Sequence, residues 1–433
     1  MKKYTYKDSN IEWLGDIPVH WSYDKLYRIC ASMGSGGTPK STNQSYYGGN
    51  IFWIQSGDLN DSYVSETKKM INEDALNNSS AKIFPKGTLL VAMYGATIGK
   101  LGIMEMDAAT NQACCSLQLS SKIISKYAFY LMLDARDYLI TQAYGGGQPN
   151  ISQETLKQLH LYYPPLQEQK AIAEYLDKAT VKLDRIIAIK QEQLLKMEDY
   201  YDSKIHEYIT KGNNNTKLIE SGIYWQGEVP KHWKKEKLFR LADKMGSGGT
   251  PKSTNQDYYG GEIDWIQSGD LNDWIVSTTK KTITEEALNN SSAKMFKKGT
   301  LLIAMYGATI GKLGVMGMDA ATNQACCAIQ VGSKLNSDFL FYLLYDMRKY
   351  LISQGYGGGQ PNISQETLKQ QYFYHPAKTE QIEIVNQIND FRSKQEVIRN
   401  NVKSQIKTLQ VYRKSLIHEC ITGKKQITTA IKN

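Results

Sequence analysis

The feature that most constrains this chain is an internal duplication with a period of 212 residues. Trp13 corresponds to Trp225, and the segment Gly34–Asp61 matches Gly246–Asp273 at 25 of 28 positions. No insertion or deletion is needed between the copies, and a nine-residue tail completes the 433 residues. Because solenoid repeats are only about 20 to 50 residues long, each copy is expected to contain a whole domain and a connector rather than one small repeating unit.

Each copy changes character about 160 residues after its start. The earlier part has short runs of strand-forming residues separated by Gly, Pro, Asn and Asp, which predicts short strands, with one helix over 126–143. A long polar helix then follows a proline turn. We therefore expect an α+β fold class, and the homologous mixed α/β domains and helical spacers are predicted at 1–163, 164–212, 213–375 and 376–433, in that order.

The two spacers carry residues at alternating steps of four and three, which is the spacing of a coiled-coil seam. The apolar seam positions are Ile172, Leu176, Leu183 and Ile186 in the first spacer and Ile384, Ile388, Phe391, Ile398, Val402 and Leu409 in the second. A polar helix of about 40 residues needs a partner that covers its apolar stripe, so the spacers are predicted to pair as an antiparallel coiled coil. Since domain and helix alternate along the chain, this pairing predicts a pseudo-two-fold arrangement. The alternative is two separate helices, each packed on its own domain.

Composition narrows the class of protein. The chain is 41% hydrophobic and 22% charged, with no run near the ~20 apolar residues that cross a membrane and no signal sequence, so a cytoplasmic globular protein is expected. Six cysteines without a CxxC spacing do not suit a disulfide scaffold or a metal site. The adjacent pairs Cys114–Cys115 and Cys326–Cys327 are expected to be buried thiols.

The net charge of +9 comes entirely from the second half of the chain. Residues 1–212 contain 23 basic and 23 acidic side chains, whereas 213–433 contain 29 and 20. Local lysine clusters suit phosphate contacts, although such runs are more often solvated faces. The clusters are Lys231, Lys234, Lys235 and Lys237, then Lys294, Lys297 and Lys298, and finally Lys424 and Lys425.

Two loops in each copy carry residue types that contact DNA, namely amides, hydroxyls and amines beside glycines that let a backbone approach a ligand. The first loop comprises Ser35, Gly36, Gly37, Thr38, Lys40, Ser41, Asn43, Gln44 and Tyr46, and it recurs as Ser247, Gly248, Gly249, Thr250, Lys252, Ser253, Asn255, Gln256 and Tyr258. A surface turn before a strand explains the same residues equally well.

The second loop is YGATIGK, which presents Tyr94, Thr97 and Lys100 in the first copy and Tyr306, Thr309 and Lys312 in the second. It looks like a nucleotide-binding P-loop but has three rather than four residues between its glycines, and leucine follows the lysine. We therefore predict no nucleotide site here. The loop is interpreted either as a polar contact to a partner or as a purely structural turn.

No catalytic motif is present in the sequence. The chain lacks HExxH, GxSxG, GxGxxG and Walker sequences. His206 and His418 lie near the ends of the predicted helices, where a histidine can interact with the helix dipole. A non-catalytic protein is therefore expected.

Taken in order, the motifs resemble the specificity subunit of a type I restriction-modification system over essentially the whole chain. They are SNIEWLGDIPVHW and SGIYWQGEVPKHW, GGTPKS followed by WIQSGDL, YGATIGKLG, ATNQA, GGGQPNIS and PPLQEQKAIAEYLD. No single motif is specific, but their serial order is. The second copy departs from the pattern at 376–381, where the usual Pro-Leu is lost, and this affects only the expected start of the last helix.

The resemblance implies a non-catalytic DNA-binding subunit with two target-recognition domains, each recognising half of a bipartite site, and paired helices that set their spacing. It also implies partners: double-stranded DNA, two modification subunits that bind S-adenosylmethionine and methylate adenine at N6, and two restriction subunits that use ATP and magnesium for translocation and cleavage. No cofactor is expected on this chain itself, and no membrane contact is expected.

The near identity of the two domains leads to a more specific prediction. Similar domains on an antiparallel axis should read the same half-site on opposite strands, so an interrupted, palindromic or near-palindromic target is expected. The second copy adds the acids Asp257, Glu262 and Asp264, which either face solvent or change one recognised base. The alternative function is an orphan specificity-like module that sequesters modification subunits. A self-contained methyltransferase is disfavoured because the sequence offers no cofactor loop.

Overall fold

The computed structural model describes residues 4–143, 149–212, 216–355 and 362–427, and its helices and strands occur in the same order in both copies. Contacts group the chain into two compact units, Met1–Gln191 with Ser404–Asn433, and Glu192–Lys403. Each unit contains one domain and a segment of each long helix. The units therefore cut through both helices, whereas the boundaries predicted from sequence separate domain from helix.

The elements of the first copy are short apart from its last helix. The strands are β1 (Tyr6–Asp8), β2 (Asp16–Pro18), β3 (Ser22–Lys25), β4 (Cys30–Gly34), β5 (Tyr47–Ile54), β6 (Ser62–Val64), β7 (Met70–Ile71), β8 (Lys82–Phe84), β9 (Leu89–Ala92), β10 (Leu101–Met104), β11 (Ala108–Thr110), β12 (Cys114–Leu119) and β13 (His160–Tyr163). The helices are α1 (Leu26–Ile29), α2 (Glu73–Asn77), α3 (Ser125–Asp134), α4 (Arg136–Thr141), α5 (Gln153–Lys157) and α6 (Leu166–Lys211).

The second copy repeats this series of elements. The strands are β14 (Leu218–Glu220), β15 (Glu228–Pro230), β16 (Lys234–Lys237), β17 (Ala242–Ser247), β18 (Tyr259–Ile266), β19 (Trp274–Val276), β20 (Thr282–Ile283), β21 (Lys294–Phe296), β22 (Leu301–Ala304), β23 (Leu313–Met316), β24 (Ala320–Thr322), β25 (Cys326–Val331) and β26 (Tyr372–His375). The helices are α7 (Leu238–Leu241), α8 (Glu285–Asn289), α9 (Ser337–Asp346), α10 (Arg348–Ser353), α11 (Gln365–Lys369) and α12 (Lys378–Ile421).

Two sheets form the centre of the first domain. Their strand orders are β4-β12-β9-β10-β6 and β7-β5-β11-β8, and β10 with β6 and β11 with β5 are the parallel pairs among antiparallel neighbours. Because successive side chains of a strand point to opposite faces, β9 contributes to two cores. Leu89 and Val91 join the core that includes the helices, and Leu90 and Ala92 join the core between the sheets. The region predicted as one helix over 126–143 is instead α3 and α4.

The second domain has the same sheets, with orders β17-β25-β22-β23-β19 and β20-β18-β24-β21. In both domains the adjacent cysteines lie on a strand that separates the two cores. Cys115 belongs to the core under the helices and Cys114 to the core between the sheets. Burial raises the pKa of Cys114, Cys115, Cys326 and Cys327 to about 12, so they are neutral thiols and the prediction of buried cysteines is confirmed.

The long helices start at equivalent positions, because Lys378 lies 212 residues after Leu166. A buried glutamine fixes each start: Gln169 accepts from the Ile124 amide at 3.0 Å and donates to the Pro164 carbonyl at 2.8 Å. Gln381 makes the corresponding contacts in the second copy. The loss of Pro-Leu before α12 therefore leaves the start of that helix unchanged.

The helices pack antiparallel within each unit. In the first unit Asp184 pairs with Arg413 at 2.8 Å, and Lys190 donates to Gln405 at 2.5 Å, so residue numbers rise on α6 as they fall on α12. In the second unit Glu198 pairs with Arg399 at 3.3 Å. The alternative of two separate helices is wrong, because the end of α12 joins the core of the first copy's domain.

Burial identifies the residues that hold the helices in place. Ile172, Leu176, Leu183, Ile384, Ile388 and Val402 are buried, and Ile186, Phe391 and Leu409 are half-buried. The predicted seam position Ile398 is instead 45% exposed, while Ile187 and Ile406 are buried. An α-helix drifts by about 20° per heptad relative to a strict seven-residue repeat, so a seam drawn by heptads alone shifts onto a neighbouring residue.

The two histidines near the ends of the long helices bind aspartates of the recognition domains. His206 Nδ1 lies 2.9 Å from Asp346 Oδ2 in the second unit, and His418 Nδ1 lies 3.1 Å from Asp134 Oδ2 in the first. The hydrogen bond to Asp346 raises the pKa of His206. These contacts link each helix end to a domain, a role beyond the dipole interaction predicted for them. Among the helices in the described ranges, none is both long and apolar enough to cross a bilayer.

Candidate nucleic-acid interface

Side-chain hydrogen bonds join three separate segments of the first domain at one edge. Thr38 Oγ1 donates to Gln112 Oε1 at 2.6 Å, and Gln153 Nε2 donates to Ser35 Oγ at 2.8 Å. Ser35 and Thr38 lie in the loop after β4, Gln112 precedes β12, and Gln153 begins α5. We call these four residues the polar edge of the first domain.

The second domain has the same polar edge, formed by Ser247, Thr250, Gln324 and Gln365. Thr250 Oγ1 donates to Gln324 at 2.6 Å, and Gln365 Nε2 donates to Ser247 at 2.8 Å. Thr250 and Gln324 are exposed, as are their counterparts in the first domain. Both edges therefore present amide and hydroxyl groups to solvent.

The YGATIGK loop borders the polar edge. Tyr94 forms an isolated antiparallel bridge with Asn150, just before α5. Partial burial raises the pKa of Tyr94, and its hydrogen bond with Gln112 offsets part of this increase. Tyr306 and Gln324 show the same two effects. These phenols remain protonated donors at neutral pH.

Thr97 and Lys100 belong to the turn that follows Tyr94 and are partly exposed. In the second copy Thr309 is partly exposed and Lys312 is exposed. The turn therefore leaves a lysine at least partly open to solvent in each domain.

An aspartate–arginine pair that sequence analysis missed fixes this turn. Arg136 binds Asp61 with both terminal nitrogens, donating to Oδ2 at 3.0 Å, and its Nε donates to the Gly99 carbonyl at 2.8 Å. Asp61 Oδ1 also accepts from the Leu101 amide at 2.9 Å. Arg348 and Asp273 form the same two-pronged pair, and the recurrence of both residue types at the period of 212 was the available sequence signal.

The glycines of the first loop serve internal packing, and the interpretation that they also let a ligand approach stays a prediction. A Cβ on Gly36 would overlap the Thr110 carbonyl oxygen and lie 2.9 Å from its carbon. A Cβ on Gly37 would overlap the Ser80 hydroxyl and lie 2.8 Å from the Ser80 carbonyl carbon. Gly248 and Gly249 meet Thr322 and Ser292 in the same way.

The remaining predicted residues of this loop divide into two groups. Asn43 caps a short 3-10 helix by accepting from the Ser45 amide at 3.3 Å, Gln44 donates to the Ser41 carbonyl at 3.1 Å, and Tyr46 packs on a small core. Asn255, Gln256 and Tyr258 repeat these contacts. The side chains of Lys40, Ser41, Lys252 and Ser253 are exposed, which leaves them open to a partner.

The three acids of the second copy occupy different environments. Asp264 Oδ1 accepts from Thr279 Oγ1 at 2.7 Å, so its carboxylate is bound within the domain. Asp257 and Glu262 are exposed. A change in the recognised base is therefore better assigned to Asp257 or Glu262 than to Asp264.

Comparison with known families decides the class of this chain. A profile described as Type I restriction modification DNA specificity domain matches residues 18–199 and 230–408. The chain belongs to this family. It has the two-domain organisation of a type I specificity subunit, with two target-recognition domains, as its motifs predicted.

Relatives of this specificity-domain chain match it over nearly all or about half of its length. It is 24% identical to the specificity subunit of the type I restriction enzyme MjaIX of Methanocaldococcus jannaschii, over 98% of this chain and 96% of that protein. It is 26% identical to the EcoR124I/EcoR124II specificity subunit of Escherichia coli over 44% of this chain and 47% of that protein.

Two solved structures share its fold. One chain of a type I R-M system, studied for complex assembly and conformational transition, matches with a TM-score of 0.77 and 14% identity over 94% of this chain and 99% of that one. The HsdS subunit of Thermoanaerobacter tengcongensis matches with a TM-score of 0.55 and 15% identity over 94% and 98%. The predicted fold class, two mixed α/β domains with two long helices, is confirmed.

The two specificity domains are identical in sequence at the polar edge. The segments that recur without change at the period of 212 include Met33–Gln44, Ala92–Gly102, Asp107–Cys115 and 144–158. Each contributes a residue to the polar edge or to the bordering YGATIGK loop. The glycine-rich stretches 144–148 and 356–361, including the predicted GGGQ motif, lie outside the described residues.

Proposed function

We propose that this chain is the DNA-reading subunit of a type I restriction-modification complex and that each domain reads half of a bipartite site through its polar edge. The observation that carries the proposal is that unchanged segments from four parts of each copy converge on exposed amide, hydroxyl and phenol groups. Glutamine can pair with adenine through two hydrogen bonds, and serine and threonine contact several bases. Since both edges are the same, the expected target is an interrupted palindrome.

Phosphate contacts would come from lysines beside the edge. Lys40 and Lys252 are exposed in the first loop, and Lys100 and Lys312 follow the bordering turn. Such contacts position a protein on a duplex without reading its sequence. Amide and hydroxyl groups of the polar edge would therefore contact the bases, and the lysines would contact the DNA backbone.

Chemistry in the proposed complex belongs to partners. Two modification subunits would supply S-adenosylmethionine and methylate adenine N6, and two restriction subunits would supply ATP, magnesium, translocation and cleavage, all in the cytoplasm. The names of the relatives, each a specificity subunit of a type I restriction enzyme, support this assignment. This chain's own residues would hold and orient the DNA.

The long helices offer a surface for the modification subunits. Exposed apolar side chains recur along both helices, with exposures from 55% to 69%: Val181, Ile189, Leu195, Val397 and Val411. Exposed apolar residues that recur along a surface commonly mark a protein interface. We propose that the modification subunits cover them.

The test is single-molecule mapping of N6-methyladenine in cells that express this chain with its modification subunit. An interrupted palindrome is expected. The paired variants T38A/Q112A and T250A/Q324A serve as matched controls for the two edges, because each should relax the motif in one half only. An asymmetric motif would refute the equivalence of the edges and direct attention to Asp257 and Glu262.

The alternative is an orphan module that sequesters modification subunits. It predicts that the chain co-purifies with those subunits while cells acquire no methylated motif. Directed methylation at any bipartite motif would exclude it.

A further inference from the structure

A basic and aromatic ribbon distinguishes the second domain from the first. In the pair formed by β16 and β26, Lys235 lies opposite Tyr374, and Lys237 lies opposite Tyr372. The Lys235 amine lies 5.6 Å from the Tyr372 ring centroid and 5.7 Å from that of Tyr374, and the Lys237 amine lies 5.0 Å from Tyr372. Exposure reaches 45% for Tyr372 and 43% for Phe239. The lysine amines therefore pack against aromatic rings that are partly exposed to solvent.

The charge of this region differs sharply between the copies. The ten residues from Lys231 to Arg240 contain five basic and one acidic side chain, whereas Val19–Arg28 contains two and one. The acid, Glu236, lies 3.8 Å from Lys334, so part of its charge is already balanced. We call Lys231, Lys234, Lys235, Lys237 and Arg240 the basic ribbon.

The first copy uses the same backbone differently. Val19, Ser22 and Tyr23 replace three lysines of the basic ribbon, and Tyr23 forms a short hydrogen bond with His160. The two copies thus have a shared scaffold with different surface chemistry. This difference makes the first copy a natural template for substitutions in the second.

A single short helix connects the basic ribbon to the polar edge of its domain. Lys237 Nζ donates to Gln370 at the end of α11, and Gln365 at the start of α11 donates to Ser247 at 2.8 Å. Five residues of helix span about 7.5 Å, which is close to two base steps of DNA at ~3.4 Å each. The ribbon therefore lies beside the edge rather than on a remote face.

The equivalent surface of the first unit is also open. A groove of about 700 Å³ is lined there by Tyr23 and His160 of the strand pair together with Thr155 and Gln158 of the α5 region. The strand pair and the short helix thus border one accessible surface. The same elements carry the lysines in the second domain.

We propose that the basic ribbon binds the phosphate backbone of duplex DNA that flanks the second half-site. This inference rests on the proposed function, in which the adjacent polar edge reads that half-site. Ammonium groups on flexible stems bind phosphates without regard to sequence. The two domains then read the same bases but hold the DNA with unequal strength, and the second domain anchors the complex.

The experiment compares salt dependence of DNA binding by the full-length chain. The variant K231V/K234S/K235Y gives the second domain the residues of the first, and V19K/S22K/Y23K makes the reciprocal change. Binding is measured by fluorescence anisotropy between 50 mM and 300 mM salt, on the mapped motif with long flanks, on the motif with trimmed flanks and on random duplex. K297A is the matched control, because Lys297 is also specific to the second copy but its charge pairs with Asp319 at 2.7 Å.

The triple variant is expected to flatten the plot of log affinity against log salt by about 0.9 for each phosphate that the ribbon no longer neutralises. At 0.1 M salt this corresponds to roughly 8-fold weaker binding per phosphate, on long-flank and random duplexes but not on the trimmed one. The reciprocal variant should steepen the slope, and K297A should leave it unchanged.

An unchanged slope in the triple variant overturns the proposal. If the triple variant keeps its slope and also fails to co-purify with the modification subunits, the ribbon binds an acidic protein surface instead of DNA. The random duplex distinguishes the phosphate contact of the ribbon from the proposed function of the chain. If the salt slope depends on the ribbon but the wild-type chain binds the motif and random duplex equally well, the proposed function is refuted and the phosphate contact is supported.

Discussion

Replacing Gly36 by alanine tests whether the glycine-rich loop is needed for packing or for ligand approach. The new Cβ would overlap the carbonyl oxygen of Thr110, the last residue of β11, and lie 2.9 Å from its carbonyl carbon. Real Cβ atoms essentially never come so close. The loop or the strand must therefore move, although β11 is paired on both sides.

The expected cost follows from this crowding. Overpacking in a fixed environment costs about 1–3 kcal/mol, and the upper part of that range applies because the obstacle is backbone rather than a mobile side chain. In a unit of roughly 200 residues, each kcal/mol corresponds to about 2–4 °C of Tm. G36A should therefore unfold roughly 6–12 °C below the wild type.

Gly34 provides a matched control two residues earlier. A Cβ there meets no atom within 4 Å, so G34A should change Tm by no more than about 2 °C. Thermal unfolding can be followed by tryptophan fluorescence, to which the buried Trp53 contributes; its indole donates to the Gly37 carbonyl at 3.2 Å. If G36A unfolded at the wild-type temperature but lost DNA affinity, the packing argument would be refuted and the ligand-approach role supported.

Three further predictions follow from particular contacts. Replacing Lys100 and Lys312 by alanine should flatten the salt slope of DNA binding by about 1.8 in total if both contact phosphate; an unchanged slope in a binding titration would remove them from the interface. The pKa of His206 is raised in the folded state, so the protonated histidine stabilises the fold. This stabilisation is complete below pH ~6.5 and disappears as pH rises through the folded-state pKa. D346N should abolish the difference in thermal stability between pH 6 and pH 8. V402D should destabilise the second unit by about 3 kcal/mol because Val402 is buried, whereas I398D should be tolerated; equal urea midpoints for both variants would contradict the observed helix register.

The duplication and the residue periodicities were enough to predict the architecture. Two mixed domains, two long helices and their antiparallel pairing follow from the period of 212 and from the three-four spacing, because these patterns report which surfaces must be buried. The register of the helices could not be obtained in this way. Ile398 and Ile406 are both isoleucines, and only the packed structure distinguishes the exposed from the buried one.

The candidate site was predicted in its parts and not in its assembly. Ser35, Thr38 and Tyr94 were identified by residue type, but Gln112 and Gln153 were not, because a strand end and a short helix bring them together over long sequence separations. The sequence alone does not distinguish a glycine that lets a ligand approach from one that makes room for a neighbouring carbonyl group. The role of Gly36 became clear only from the position of Thr110.

The distribution of changes between the copies separates two kinds of constraint. Some buried positions have exchanged residues of similar volume: Leu117 corresponds to Ile329, and Met132 to Leu344. Such swaps usually cost less than about 1.5 kcal/mol, so the cores can vary and still fold.

The exposed residues of the polar edge show the opposite behaviour. Surface substitutions usually change stability by less than about 0.5 kcal/mol, so stability alone gives no reason for Thr38 and Gln112 to match Thr250 and Gln324. The basic ribbon differs between the copies at three of its five positions, Lys231, Lys234 and Lys235, and all three are exposed. If both edges read the same base sequence, both must keep the same residues, and this requirement does not apply to the ribbon. Flanking phosphates are the same everywhere, so one domain can bind them more strongly than the other without changing the sequence that is read.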